Sequence, residues 1–332
     1  MKFSLVGSFN LADGYLGAAE GLRKLGHQVE FVPAHQYRSE NPDKHVDMII
    51  DDLQKHNSDV VLWWRAETLS SMELRRIREV VGGLYILYSW DDPHQWERHP
   101  ELPEKCKIID LAFTCTLGSV RQYVENGCHA VYCPPGFDQN VHYPEVDEEY
   151  VCDLSIVCTN LYHGPTLTPK PHLSRKLLID AIIEDGGIDF RLYGNQDFEA
   201  IYPDHYRGWM QFNESRKVFH NSRINISTHI RPDGYMYINE RVCQILGSGG
   251  LLMVDGVSGW REEGFLLDWT KDFVIIDFSS PKAFMSQIHH ILENYADYEE
   301  IKESAHERAM EVLTWDKWAQ TLMEAIDERI SN

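Results

Sequence analysis

A chain of 332 residues is long enough for two ordinary domains, each with its own hydrophobic core. With 43% hydrophobic and 25% charged residues it is not a disordered polypeptide, and no apolar run approaches the roughly 20 residues that span a bilayer. A formal net charge of −21 argues against a broad nucleic-acid footprint, which needs clustered Lys and Arg, while leaving room for a local basic cleft.

Strand and helix patterns alternate from the start. Residues 3–6 read as a first strand, and the opening MKFSLVGSF suits a strand better than a leader because Asn10 and Asp13 interrupt it. Gly7, Ser8 and Gly14 fall in the turn that follows. Leu16, Ala19, Leu22 and Leu25 share one face, which predicts a helix over 15–25 ended by Gly26. A strand over 29–32, a helix over 46–56 and a strand over 60–63 come next. Met72, Leu74, Ile77, Val80 and Val81 mark a helix over 69–81. Strands over 84–89, 111–115 and 130–133, with a short helix over 120–125, complete the first half. Strands and helices in strict alternation, with short connections, predict a parallel sheet covered on both faces.

Pro134, Pro135, Gly136 and Pro144, followed by the acidic residues Glu145, Asp147, Glu148 and Glu149, read as a linker. The plan then repeats. Strands are predicted over 154–158, 190–193 and 224–227. A helix is predicted over 173–183 after a proline-broken loop, and another from an Asn213 cap to His220. Ile238, Val242, Ile245 and Leu246 predict a helix over 237–246. Gly247, Gly249 and Gly250 stop it, and a buried strand over 251–254 closes on Asp255. A last strand over 273–276 and a helical tail over 281–330 follow.

The fold class expected is α/β, with two Rossmann-like doubly wound domains facing across a cleft. The first spans 1–144 and the second 145–312, with a C-terminal helix over 313–332 free to cross back to the first. Ligands in such sheets sit outside the carboxyl ends of the strands. The seven cysteines are odd in number and lack a CxxC pair, which favours reduced thiols in the cytoplasm over disulfides or zinc.

Two stretches carry candidate chemistry. The start of the 237–246 helix sets Asn239, Glu240 and Arg241 beside free backbone N–H groups, a seat for an anion such as a diphosphate; a plain core unit with a solvated first turn is the other reading. SWDDPHQW puts Asp91, Asp92 and His94 just past a strand, where a general base would stand, although Asp–Pro also simply starts turns. His94 and His99 have no third ligand at metal spacing, and no Asp-x-Asp triplet occurs, so no metal is expected. Strand one is followed by GSFNLADG rather than GxGxxG, which counts against a dinucleotide enzyme.

Four pieces bear a family resemblance: LADGYLGAAEGLRKLGHQVEFV over 11–32, SWDDP over 89–93, PPGFDQNVHYP over 134–144 and NERVCQILGSGGLLMVD over 239–255. In order and separation they resemble a GT-B glycosyltransferase, and most of all its spore-maturation CgeB-like branch. The resemblance implies transfer of a hexose from a nucleoside diphosphate sugar, with a UDP-sugar expected, to a hydroxyl acceptor. It implies no required cofactor or metal, and a donor held mainly by the C-terminal domain. Arg241 matches the family arginine that pairs with donor phosphates. Arg231, Arg175 and Lys176 are further diphosphate candidates, and Asp233 lies near the place of the hexose-contacting acid. Asn239 is a cap or a ligand. Gln244 stands where the family has a ribose-binding Glu. Gly249 belongs to the helix–strand turn and Gly14 to the first glycine turn. A glycan or small-molecule acceptor is favoured. Arg207, Arg216, Lys217 and Arg223 keep DNA open as an acceptor, and Gln244 keeps open a non-catalytic sugar- or nucleotide-binding module.

Overall fold

The computed structural model describes residues 1–9, 14–64, 69–89, 92, 96, 99–161 and 175–331. The chain divides into two compact units. One comprises Met1–Gly136, Gly234–Tyr237 and Trp315–Asn332; the other comprises Phe137–Asp233 and Ile238–Thr314. Among the described residues no helix is long and apolar enough to cross a membrane.

The first unit runs β1 (Lys2–Gly7), α1 (Tyr15–Lys24), β2 (Gln28–Val32), α2 (Ala34–Glu40), α3 (His45–His56), β3 (Val60–Trp64), α4 (Ser71–Val80), β4 (Leu84–Ser89), α5 (Leu102–Cys106), β5 (Leu111–Thr114), α6 (Leu117–Glu125) and β6 (His129–Tyr132). Its six strands are parallel in the order β2-β1-β3-β4-β5-β6, so the winding reverses between β1 and β3. VVLWW of β3 is buried along its whole length, as a central strand covered on both faces must be. Ser70 and Glu73 close a reciprocal capping box at the start of α4.

The second unit runs β7 (Cys152–Cys158), α7 (Arg175–Asp185), β8 (Phe190–Gly194), α8 (Asp197–Ile201), α9 (Ser215–Asn221), β9 (Ser222–Ser227), α10 (Glu240–Gly247), β10 (Leu252–Val254), β11 (Val274–Ile275), α11 (Pro281–Glu293) and α12 (Glu299–Val312). Its five parallel strands lie in the order β11-β10-β9-β7-β8, with the reversal between β7 and β9. Leu154, Ile156, Leu192, Ile224, Ile226 and Met253 from the strands meet Ile179, Ile182, Phe284 and Ile288 from the helices in one core.

The last helix, α13 (Trp315–Ser331), belongs to the first unit and packs on α1. Two glycines make the approach possible. A Cβ at Gly17 would run into the Trp315 ring, and one at Gly21 would stand 2.7 Å from the Trp315 carbonyl oxygen. Trp315 and Trp318 close over Trp64 with ring centroids 5.7 and 5.9 Å away, and Tyr88 joins them at 5.2 Å from Trp318. Residues 234–237 also belong to this unit. The Gly118 N–H donates to the Tyr235 carbonyl at 3.2 Å, and the Tyr132 hydroxyl donates to the Met236 carbonyl at 2.8 Å. These bonds hold Met236 at φ 54°, a left-handed conformation that side chains other than glycine seldom adopt.

Several boundaries differ from the sequence reading for identifiable reasons. The helix expected from 237 starts at Glu240, because Asn239 caps it. Asn213 caps nothing; Phe212–Glu214 form a 3₁₀ turn and α9 starts at Ser215. The 281–330 tail is three helices, with a 3₁₀ turn at Tyr295–Tyr298 after the first and a break at Leu313 and Thr314. The short helices α2, α5 and α8 carry too few turns to show a periodic pattern.

Candidate functional site

The second unit concentrates polar chemistry where its sheet reverses. There β7 and β9 lie side by side at the switch point of the strand order. Arg175, the first residue of α7, reaches the residues that follow both strands. Its Nε donates to Thr228 Oγ1 at 2.8 Å and its Nη2 to the Thr228 carbonyl at 2.9 Å. Its Nη1 donates to the Asn160 carbonyl at 2.9 Å and to Asn160 Oδ1 at 3.2 Å. Every guanidinium nitrogen is engaged, so Arg175 ties the two loops together. Lys176 pairs with Asp180 on its own helix at 2.6 Å.

Helix α10 enters the same region. Asn239 Oδ1 accepts the Val242 N–H at 3.0 Å, the bond of an N-cap. At the other end, the ring of Phe137 lies where a Cβ on Gly247 would be. Gly249 has φ 68° and turns the chain into β10, so its role here is conformational.

Arg241 sits one position inside the helix. Its guanidinium lies 5.7 Å from the centroid of the Phe219 ring and has no hydrogen bond or ion pair among the described residues. The side chain keeps some exposure, yet its charge stands in desolvated surroundings. Burial lowers its pKa, Glu240 pulls it back up, and Arg175 lowers it further. Arg241 also acts on two buried groups. Burial raises the Cys158 thiol at the end of β7, against the pull of Arg175 and Arg241. Burial, then the charges of Arg241 and Arg216, hold His142 down to about 3. Two arginines thus converge at the end of β7, and one of them has donors unused among the described residues.

Gln244 lies one turn on from Glu240 and is 3% exposed, with Oε1 buried and lacking a hydrogen-bond partner among the described residues. Arg231 and Asp233 grip each other, Nε to Oδ1 at 2.8 Å and Nη2 to Oδ2 at 2.7 Å. A diphosphate would have to compete with that carboxylate for Arg231.

A cavity of about 700 Å³ opens past the end of β8, lined by Asn195, Gln196, Glu199, Tyr206, Arg207 and Trp209. Trp209 is 52% exposed, an unusual surface position for so large a ring. The basic residues that suggested a nucleic-acid surface are mostly neutralised. Arg216 pairs with Glu145 at 2.5 Å, Lys217 with Glu214 at 2.9 Å, and Arg223 with Asp153 at 3.2 Å. Arg207 donates to the Asp204 and Tyr206 carbonyls.

In the first unit Asp92 is 0% exposed. Its Oδ2 accepts the Tyr123 hydroxyl at 3.0 Å, and its carbonyl accepts Thr116 Oγ1 at 2.5 Å. A carboxylate so enclosed is closed off from solvent. Asp91 and His94 lie outside the described residues. Gly14 caps α1 in the left-handed region at φ 60°. Among the described residues no three His, Cys, Asp or Glu side chains are grouped for a metal.

His142 provides a direct test of the electrostatics. A histidine kept neutral in the folded state loses ground as the unfolded chain takes up its proton. Its contribution is intact above pH 6.5 and falls as pH drops from there towards about 3. The slope is roughly 1.4 kcal/mol per pH unit for one such group. Urea midpoints of His142→Leu measured from pH 7 to pH 4.5 are expected to fall less steeply than wild type by that one proton. Parallel curves would refute the assignment.

Comparison with known proteins follows the same geometry. Residues 175–324 match a family model described as glycosyl transferase-like. The whole fold matches sucrose-phosphate synthase from Thermosynechococcus elongatus at 11% identity, with 100% of this chain and 99% of that one covered and a TM-score of 0.70. By fold, this chain is of the GT-B type. It also matches HepE of Anabaena, solved with UDP-glucose, at 10% identity over 99% of this chain and 100% of that one, with a TM-score of 0.70. An alpha-glucosyltransferase bound to UDP and a 13-mer DNA containing an HMU base matches at 11% identity over 100% of both chains, with a TM-score of 0.67. No curated protein matches the sequence. The matched segment points to glycosyl transfer, and the fold is shared with these structures over the full chain.

Sequence reading gave no role to His229, Asp255 or His142, although the last two stand inside the 239–255 and 134–144 segments, because each is engaged by a partner distant in the chain.

Proposed function

We propose that this glycosyltransferase moves a hexose from a UDP-sugar to a hydroxyl on a glycan or small molecule, and that it belongs to the spore-maturation CgeB-like branch. The observation that carries the donor site is Arg241: a desolvated guanidinium whose donors are unused among the described residues, at the start of a helix, beside the sheet reversal. A diphosphate would accept from that fork and from the first N–H groups of α10, and the same contacts would stabilise the leaving group as charge develops on it. This electrostatic arrangement does the work for which other glycosyltransferases use a metal. Gln244 offers a buried amide to the ribose, and the cavity by Tyr206 and Trp209 has room and ring surface for the base. UDP or UDP-glucose in the HepE structures supports the choice of base.

On the acceptor side Asp91 and His94, flanking the anchored Asp92, are the proposed base candidates. A DNA acceptor is the weaker reading. One structural neighbour holds DNA, but here the candidate basic side chains are paired with acids and the net charge is −21. The seven buried free thiols support a reducing compartment such as the cytoplasm. Gln244 is the one feature that favours a binding module without turnover, since an amide accepts more weakly than the family carboxylate.

A thermal-shift screen of nucleotide sugars tests the donor. A ligand at 100 times its dissociation constant is expected to add about 2.7 kcal/mol of stability. A UDP-sugar hit supports the proposal. A screen in which only free sugars shift the transition would favour the binding module.

A further inference from the structure

A buried histidine–carboxylate pair stands directly behind the start of α10. His229 follows β9 and is 0% exposed; Asp255 follows β10 and is 3% exposed. Asp255 Oδ1 lies 2.7 Å from His229 Nδ1, and Asp255 Oδ2 accepts the His229 backbone N–H at 2.8 Å. Both oxygens are therefore used on one residue. The carboxylate can only accept, so Nδ1 carries the proton and Nε2 is left as an acceptor. The Asn239 backbone N–H donates to that Nε2 at 3.4 Å. Trp260, 1% exposed, holds the imidazole edge-on at a centroid distance of 5.1 Å, and is itself packed by Phe265 and Phe273.

Asn239 is the N-cap of α10. The chain runs back from it to residues 234–237, which are bonded elsewhere. Its backbone N–H is thus the point at which the entry of the helix can be located from behind. We propose that His229, with its tautomer set by Asp255, is a positioning residue: it locates Asn239 and thereby aims the first N–H groups of α10 and the Arg241 fork. The pair touches no substrate atom in this role. It rests on the donor-site reading above only for the consequence on ligand binding, not for the consequence on the helix start.

The two halves of the imidazole can be replaced separately. In His229→Asn the side-chain amide can stand in for Nδ1 and still donate to Asp255, but nothing replaces Nε2. In His229→Gln the amide oxygen reaches the place of Nε2 and can accept from Asn239. Asp255→Asn must present its NH₂ either to the His229 backbone N–H or to Nδ1. The first sets donor against donor. The second moves the ring proton to Nε2, where it faces the Asn239 N–H.

The test uses the full chain without ligand, followed by amide hydrogen exchange, and then UDP titrated by calorimetry. We expect exchange at Asn239–Val242 to speed up by roughly tenfold in His229→Asn and Asp255→Asn, and to stay near wild type in His229→Gln. UDP affinity should fall in the same two variants by a similar factor and recover in His229→Gln. A loss that is equal in all three variants, or exchange that rises evenly across the second unit, would mean a packing role and overturn the proposal. Wild-type protein that fails to bind UDP while the exchange pattern holds would remove the donor reading and leave the positioning role standing. UDP binding with no change of exchange in any variant would do the reverse.

Discussion

Replacing Arg241 with Met is expected to move two measurements in opposite directions. UDP affinity should fall by about 100-fold or more, because a diphosphate loses two or more charge-assisted bonds worth roughly 1.5–3 kcal/mol each. Stability of the ligand-free protein should rise by about 1 kcal/mol, because a desolvated charge with no hydrogen bond or ion pair among the described residues is exchanged for an apolar chain of similar length. The contact with Phe219 at 5.7 Å is a partial offset, since a cation–π pair of this kind is worth about 0.5–1 kcal/mol. Calorimetry with UDP and a urea unfolding curve read the two effects independently. The physical basis is that an arginine held for a ligand is a liability without it: burial, and then Arg175, lower this guanidinium, and Glu240, Cys158 and a ring face offset them in part. If the variant binds UDP as wild type does, the phosphates sit elsewhere. If it binds poorly but is also less stable, Arg241 holds the fold together and is not held in reserve.

Trp315→Ala should be among the most destabilising single changes in the chain, at about 3–5 kcal/mol. The ring is 2% exposed and touches three partners of its own cluster, Trp64, Tyr88 and Trp318, with centroids at 5.7, 6.3 and 5.6 Å. It also fills the space that Gly17 and Gly21 leave on α1. The Nε1 atoms of Trp315 and Trp318 are buried and lack hydrogen-bond partners among the described residues. The cluster is therefore held by area and ring packing, and truncation leaves a cavity that no polar contact can close. Gly17→Ala should destabilise by the opposite route, since its methyl would meet the same ring; overpacking of this kind costs about 1–3 kcal/mol. Urea midpoints with an unchanged slope would read both. A loss below 1 kcal/mol for Trp315→Ala would show that α13 is held to α1 by other contacts, such as the Lys24–Asp316 pair at 2.9 Å.

The architecture was largely legible because buried parallel strands announce themselves. VVLWW and LLMV are apolar on both faces, and no other element of four or five residues needs that. Helix α10 was legible for a different reason: an apolar stripe and a glycine stop agree, although its start was read at 237, before the Asn239 cap. Short helices were not, since α5 and α8 have five residues each and cannot display a period. The candidate site was legible only as a list. Arg231 and Asp233 stand two apart in sequence and were read as separate ligands, yet they bind each other. Asp92 was one of three base candidates placed just past a strand, and it is buried against Tyr123. Strand ends tell which residues reach the rim of a sheet. They do not tell which way a side chain turns once there.

By itself, the order of residues determined the two parallel α/β layers, the cap and stop of α10 and the presence of an arginine at its first turn. These depend on periodicity and local hydrogen bonding, which act between neighbours a few positions apart. Only the tertiary structure decided which charged groups are spent and which are free. Arg175 is consumed by Asn160 and Thr228, 53 positions away in the latter case, and His229 is oriented by Asp255, 26 positions on. Such pairings depend on strand order, and with β9 between β7 and β10, residues at three strand ends become neighbours. Whether an arginine rests against a carboxylate or faces an open seat is then a matter of distance and burial, and those are properties of the folded sheet.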